Sequence, residues 1–126
     1  MAGPRDPHGR GQRAYLAGTA AEDLVARHYE HRGYSIAERR WRGAGGEVDL
    51  ILRQGAALVF VEVKHSKTRD RAAARITQAQ TRRIYASAGQ YLENEPAGQL
   101  TEARFDVALV DGAGAIEIIE NAFGLD

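Results

Sequence analysis

Hydrophobic and polar residues alternate in two short segments near the middle of the chain, and both segments carry charged residues among the apolar ones. They are residues 46–52, Gly-Glu-Val-Asp-Leu-Ile-Leu, and residues 58–64, Leu-Val-Phe-Val-Glu-Val-Lys. A period of two predicts β-strands, whose alternate side chains point to opposite faces of a sheet. One face of the second strand therefore carries three valines, and the other carries Leu58, Phe60, Glu62 and Lys64.

The four residues 54–57, Gln-Gly-Ala-Ala, predict a hairpin loop between the two strands. We expect Arg53 to pair with Leu58 at the base of this loop. Antiparallel register then predicts two opposed pairs of charged residues: Asp49 with Glu62, and Glu47 with Lys64.

Two opposed carboxylates destabilise a sheet unless something compensates their repulsion. A hard divalent cation would do so, because Mg²⁺ binds carboxylate oxygens and keeps several waters. Asp49 and Glu62 are the expected metal ligands, with the carbonyl oxygen of Val63 as an additional one. Lys64 would act on a water or on a phosphate, so the pattern indicates metal-assisted phosphodiester hydrolysis.

A purely structural interpretation of the same residues stays open. Asp49 and Glu62 would then form salt bridges with Lys64 and Arg53. Glu47 would be an edge-strand acid that pairs with Lys64. In that case Asp49→Asn would change the stability of the protein without changing its affinity for a metal.

The remaining pattern predicts an α/β layered domain, with a central mixed five-stranded sheet flanked by helices. Helices are expected at residues 12–32, ending near Gly33, and at residues 76–94, ending before Pro96. Besides the acidic hairpin, strands are expected at 34–39, 104–111 and 115–122, with a flexible loop at 42–46. The second helix would connect two parallel strands. We interpret Asp106 as structural, and Trp41 as either a base-stacking or a loop-anchoring residue.

The length of 126 residues suits one domain at 12–126, preceded by a Gly- and Pro-rich tail at 1–11 that we expect to be disordered. Cysteine is absent, which excludes disulfides and thiolate zinc sites. The sequence has no apolar run resembling a signal peptide or a membrane span. We therefore expect a cytoplasmic protein without a membrane partner.

The chain has no net charge, but its charges are segregated. Residues 64–83 contain seven basic residues and one acid, whereas residues 93–126 contain eight acids and one arginine. A basic stretch beside an acidic cluster is expected where a nucleic-acid phosphate approaches. Ordinary solvated charge is the alternative. The candidate nucleic-acid contacts are Arg42, Lys67, Arg69, Arg71, Arg75, Arg82 and Arg83.

The spacing from Asp49 to Glu62-Val63-Lys64 resembles the core of metal-dependent PD-(D/E)xK nucleases, which include restriction enzymes and Holliday junction resolvases. Residues 12–124 further resemble the YraN-type family of small bacterial proteins, described as endonuclease-like. The segments that carry this likeness are Gly-Thr-Ala-Ala-Glu at 18–22, Gly-Glu-Val-Asp-Leu-Ile at 46–51, Val-Phe-Val-Glu-Val-Lys at 59–64 and Arg-Phe-Asp-Val at 104–107.

The resemblance implies a restriction-endonuclease-like fold, Mg²⁺ or Mn²⁺ as cofactor, branched or damaged DNA as substrate, and a homodimer. It also implies that Glu22 contributes to the metal site. Gly18, Glu22, Val25 and Tyr29 fall on one helical stripe, so Glu22 lies on the apolar face and needs a partner on the sheet.

The chain departs from the family pattern at Arg40, where Asn is common, at His65 and Ser66, which replace a Tyr-Arg-like pair, and at Gln80, near which Lys is common. A missing basic group near the site would weaken phosphate contacts. The sequence thus predicts a metal-dependent DNA endonuclease, and the alternative is a non-catalytic nucleic-acid binding module that retains the nuclease fold.

Overall fold

A five-stranded mixed sheet with a helix on each face forms the protein in a computed structural model, which describes residues 20–67 and 77–122. Helix α1 covers residues 20–30 of the described chain, and α2 is Gln78–Leu92. A short 3₁₀ turn follows at Gly98–Leu100. The strands are β1 (Ser35–Gly43), β2 (Gly46–Gln54), β3 (Ala57–His65), β4 (Ala103–Val110) and β5 (Ile116–Ile119).

The strands lie in chain order, β1-β2-β3-β4-β5. All neighbours are antiparallel except β3 and β4, which are parallel and joined by α2. A parallel pair requires a long crossover connection, and α2 provides it. The predicted α/β layered fold is confirmed.

Several predictions concern residues outside the described ranges. They are the N-terminal tail, the start of the first helix with Gly18, and the basic residues Arg69, Arg71 and Arg75. Within residues 20–67 and 77–122, no helix combines the length and the apolar composition needed to cross a membrane.

The β2–β3 hairpin has the predicted register, because Arg53 pairs with Leu58. Its loop is shorter than predicted. Gln54 and Ala57 form the last pair of the ladder, so only Gly55 and Ala56 make the turn. Gly55 has a φ of +61°, which suits the left-handed conformation of a two-residue hairpin turn.

The first strand is longer than predicted, and β1 and β2 together take up residues 42, 43 and 46 of the expected flexible loop. Pairing between β1 and β2 continues to Gly43 opposite Gly46, which leaves a two-residue turn at Ala44 and Gly45. Trp41 therefore lies in a strand. Its ring packs edge-on against Tyr91 of α2 at 5.1 Å between centroids, so it anchors the hairpin and is not presented for base stacking.

Apolar side chains from alternate positions of the central strands pack against the two helices. Toward α1, Leu50, Leu52, Val59 and Val61 contact Val25 and Tyr29; toward α2, Ile51 and Phe60 pack in a cluster with Ala88. The predicted alternation of β3 is thus confirmed. Because both faces of β3 are covered, a polar side chain at its end lies beside the core instead of in open solvent.

The β1–β2 turn is hydrogen-bonded to side chains of α2 and packs closely against this helix. The Ser87 hydroxyl donates to the carbonyl of Gly46 at 2.8 Å, and the Gln90 side chain accepts from the amide of Ala44 at 2.6 Å. Gly45 packs so closely that an added Cβ would lie 2.6 Å from the carbonyl oxygen of Arg83. The turn and the helix consequently form one rigid unit beside the acidic residues.

Asp106 of β4 is fully buried and has a structural set of partners, as expected. Its carboxylate accepts hydrogen bonds from the Arg104 guanidinium at 2.9 and 3.1 Å, from the Tyr29 hydroxyl at 2.7 Å and from the Asn121 amide at 3.2 Å. A buried charge is tolerated when it is paired and hydrogen-bonded in this way. The network ties α1 to β4.

Candidate functional site

Asp49 lies at an irregular point of the sheet. The β1–β2 pairs on either side of it are Arg39 with Leu50 and Trp41 with Val48, and between them Arg40 has a φ of +49°. This left-handed conformation is uncommon for a residue other than glycine. On its other side, Asp49 accepts a hydrogen bond at 2.8 Å from the backbone N–H of Val63.

Glu62 is anchored by side chains from two elements. Its carboxylate oxygen Oε1 lies 3.4 Å from Nζ of Lys64 and accepts a hydrogen bond from Nε2 of Gln80 at 3.2 Å. The side chains of Glu62 and Lys64 are only 11% and 17% exposed. Lys64 therefore points to the same side as Glu62, as the strand period predicted.

The carboxyl group of Asp49 is strongly perturbed. Its pKa is raised to about 8, first by burial and then by the Glu62 carboxylate, which acts through repulsion and a side-chain hydrogen bond. Glu22 adds a smaller repulsion, whereas the N–H of Val63 acts in the opposite direction. Asp49 therefore favours its protonated form at neutral pH, as expected for a buried carboxyl group beside another acid. A cation that binds both groups must replace this proton.

Glu22 has the partner on the sheet that the helical pattern required. Its carboxylate lies 3.0 Å from Nε of Arg40, and its side chain is 15% exposed. The repulsion that Glu22 exerts on Asp49 indicates that the two acids are neighbours. The structure thus brings Glu22, Asp49, Glu62 and Lys64 to one end of the sheet.

Glu47 does not form the predicted pair with Lys64. Among the described ion pairs, Lys64 contacts Glu62, while Glu47 lies 3.5 Å from Arg42 on the exposed rim. The β2–β3 ladder extends from Gln54 with Ala57 to Leu50 with Val61, so Glu47 lies beyond its end and is paired with Arg42 in the β1–β2 ladder. Arg53 likewise does not join the acids, because it forms a two-point salt bridge with Glu95 at 2.9 and 3.2 Å.

A cavity of about 190 Å³ opens beside Glu62, between the β1–β2 turn and α2. Its walls are formed by Gly45, Gly46, Glu47, Glu62, Gln80, Arg83 and Ile84. Both acidic and basic side chains face this space, so it can accommodate a polar group next to the Glu62 carboxylate.

Four of the predicted nucleic-acid contacts lie in the described part of the chain. Arg82 and Arg83 are exposed on α2, Lys67 is exposed after β3, and the Arg42 side chain is 74% exposed. Arg83 alone among these four lines the cavity. Arg83 therefore borders the same cavity as Glu62, whereas Arg82 does not. The number of charges in the sequence could not distinguish these two residues.

The predicted metal ligands form a small donor set. Within residues 20–67 and 77–122, histidine, aspartate and glutamate side chains nowhere form a group of three or more that is arranged to hold a metal ion. Asp49 and Glu62 are two hard oxygen donors, and Glu22 is engaged by Arg40. Sequence reasoning missed the contacts of Arg40 and Gln80, for which the pattern of neither strand nor helix gave a signal.

Comparison with known sequences places these residues in a wider group. A sequence model of the uncharacterised protein family UPF0102 matches residues 21–110. A UPF0102 protein of Ruegeria sp. (strain TM1040) is 58% identical over 120 residues, covering 95% of this chain and 97% of the relative. UPF0102 proteins of Ruegeria pomeroyi and Cereibacter sphaeroides are 57% and 56% identical, over 91% and 90% of this chain and 94% and 97% of the relatives.

Proposed function

The chain belongs to the uncharacterised protein family UPF0102, also called the YraN family, and we propose that it is a metal-dependent endonuclease that hydrolyses phosphodiester bonds in DNA. Family membership confirms the resemblance drawn from the sequence and leaves the activity to be argued from the site. The observation that carries the proposal is the convergence of Asp49, Glu62 and Lys64 at one end of the sheet.

The two carboxyl groups suit a hard divalent cation. The side chains of Asp49 and Glu62 are within hydrogen-bonding reach of each other, so both could bind one cation, which would take the place of the Asp49 proton. Mg²⁺ is often bound by one or two carboxylates, with waters and substrate phosphate completing its shell, so a third acid is not required. Mn²⁺ has the same preference for oxygen ligands. The donor set therefore fits either ion.

When bound, such a cation would polarise a phosphate oxygen and activate a water. The protein's own residues have separate roles in this proposal. Asp49 and Glu62 hold the cation, and the N–H of Val63 fixes the orientation of Asp49. Lys64, held within 3.4 Å of Glu62, places a positive charge where negative charge develops on the scissile phosphate. Glu22 lies next to the cation ligands and supports them.

DNA would be bound mainly through its phosphates. The exposed residues Arg42, Lys67, Arg82 and Arg83 give a basic rim around the acidic end of the sheet. Trp41 is packed against Tyr91 and is not available to stack on a base. Phosphate contacts position a duplex without reading its sequence, so we propose branched or damaged DNA, distinguished by shape, as the substrate.

The experiment that tests this function is a cleavage assay with single-stranded, duplex, flapped and four-way-junction DNA. The protein is incubated in Mg²⁺, in Mn²⁺ or in EDTA, beside the Glu62→Gln and Lys64→Ala variants. Arg53→Gln serves as a control, because Arg53 pairs with Glu95 away from the acids. The proposal requires cleavage that depends on the metal, is lost in both site variants and persists in the control.

One observation favours a second candidate, a DNA-binding module without cleavage. Glu62 is already engaged by both Lys64 and Gln80, so a cation would have to compete with these two partners. Such a module would bind DNA with the usual dependence on salt but would show no turnover under any metal condition. Its affinity for DNA would be the same in EDTA and in Mg²⁺ at matched ionic strength.

A further inference from the structure

Arg83 has a fixed backbone and an exposed side chain. The β1–β2 turn packs directly on it, because a Cβ added to Gly45 would lie 2.6 Å from the carbonyl oxygen of Arg83. A Cβ added to Gly46 would lie 4.0 Å from the Cβ of Arg83. The base of this side chain is thus held in place, and Arg83 is one of the residues that line the cavity beside Glu62.

Arg83 lies on the same face of α2 as Gln80, which contacts the acidic residue Glu62. Gln80 lies three residues earlier, on the same helical face, and its amide donates to Glu62. Both Gln80 and Arg83 line the cavity of about 190 Å³. In the described part of the chain, no acid lies within salt-bridge distance of the Arg83 guanidinium, so it is available to an anion that enters this space.

We propose that Arg83 contacts the scissile phosphate and is a catalytic residue of the endonuclease, an inference that rests on the proposed function. The phosphate would lie in the cavity between the Glu62 carboxylate, which holds the cation, and the guanidinium of Arg83. Arginine suits this role because its planar group donates two parallel hydrogen bonds to phosphate oxygens.

Arg82 provides a matched comparison. It is the preceding residue on α2, carries the same charge and is exposed. Successive residues on a helix point about 100° apart, and Arg82 does not line the cavity. Arg82 can therefore contact DNA only outside the cavity, where it contributes to binding and not to the chemical step.

The test compares Arg83→Ala, Arg83→Lys and Arg82→Ala with the wild type. Cleavage of a fluorescent four-way junction and of a linear duplex is followed in Mn²⁺ under single-turnover conditions, with protein in saturating excess. DNA affinity is measured in EDTA at several salt concentrations, and thermal unfolding checks the fold. Both alanine variants should weaken binding severalfold and reduce the salt dependence by roughly one phosphate contact.

The saturating cleavage rate distinguishes the two positions. Arg83→Ala should lower it about 100-fold, as is typical when a group that stabilises the transition state is removed. Arg83→Lys should restore part of that loss, and Arg82→Ala should lower the rate far less than Arg83→Ala does. Equal saturating rates in the two alanine variants would overturn the role of Arg83 and leave the nuclease function intact. A wild type that cleaves no substrate here in Mn²⁺, nor in Mg²⁺ in the assay that tests the proposed function, would overturn both.

Discussion

Asp49 in β2 accepts a hydrogen bond from the backbone N–H of Val63 in β3, with 2.8 Å between the carboxylate oxygen and the amide nitrogen. A main-chain N–H of β3 thus donates to a side chain instead of a carbonyl group. In β1, on the other side of β2, Arg40 has a left-handed φ. The hydrogen bond from Val63 holds Asp49 toward Glu62. It explains how an acid with a raised pKa keeps one defined orientation in the metal-free protein.

Asp49 should make the metal-free protein less stable as the pH rises. Its pKa is about 8 in the folded state and near 4 in an unfolded chain, so between these values the folded state binds more protons. The free energy of unfolding should therefore fall through this window, by a few kcal/mol in total, and level off above pH 8. Denaturant titrations in EDTA between pH 4.5 and pH 9 measure this change.

The Asp49→Asn variant isolates this contribution, because asparagine stays neutral and its carbonyl oxygen can still accept from the N–H of Val63. The stability of the variant relative to the wild type should be lowest at the acidic end of the range, rise with pH and level off above pH 8. All other titrating groups are shared by the two proteins. A stability difference that stays constant over the whole pH range would contradict the assigned pKa.

Glu22 should influence Asp49, whereas its neighbour Asp23 should not. Glu22→Gln removes a repelling charge near Asp49 and with it the ion pair between Glu22 and Arg40, so the pKa of Asp49 should fall. Asp23 forms a comparable bridge between α1 and β1, with Arg39 at 2.9 Å. NMR titration of the Asp49 carboxyl carbon in both variants measures the effect. Equal shifts in Glu22→Gln and Asp23→Asn would show that Glu22 does not belong to the site.

Two glycines near the site should respond to alanine in opposite directions. Gly45→Ala places a methyl group 2.6 Å from the carbonyl oxygen of Arg83 and should destabilise the protein by about 1–3 kcal/mol. Gly89 lies inside α2 with nothing within 4 Å of an added Cβ, so Gly89→Ala should stabilise it by about 0.5–1 kcal/mol. Denaturant unfolding measures both changes. A neutral Gly45→Ala would mean that the turn does not dock on α2 as described.

Substitution of Asp106, a buried polar residue, should lower the free energy of unfolding strongly. Asp106→Asn removes the buried carboxylate from the Arg104 guanidinium and leaves only the exposed Glu120 at 4.0 Å as its acidic partner; breaking a buried ion pair costs about 3–5 kcal/mol. Tyr29→Phe removes a single hydrogen bond from the same group and should cost about 1–2 kcal/mol. Thermal and denaturant unfolding compare the two. A larger loss in Tyr29→Phe would mean that the tyrosine, and not the ion pair, organises this network.

The local sequence pattern predicts the helices and strands and the apolar face of each. The period of two in β2 and β3 follows from local chain geometry. The short turn at Gly55 sets the register of the hairpin, because it fixes which residues of the two strands pair. Asp49, Glu62 and Lys64 could therefore be placed together, because no more than fifteen residues separate them along the chain. The ends of β1 were less predictable, since packing of Trp41 on Tyr91 extends the strand into a Gly-rich segment.

The pairing of polar side chains depends on tertiary packing and cannot be predicted from the local pattern. Gln80 with Glu62, Arg40 with Glu22 and Tyr29 with Asp106 join residues from separate elements, and their pairing depends on how the helices dock on the sheet. The left-handed φ of Arg40 is equally non-local, because arginine has no intrinsic preference for it. Local periodicity predicts the face of the strand or helix on which a side chain lies. Its burial and its hydrogen-bond partner depend on residues that are distant in sequence and packed against it in the fold.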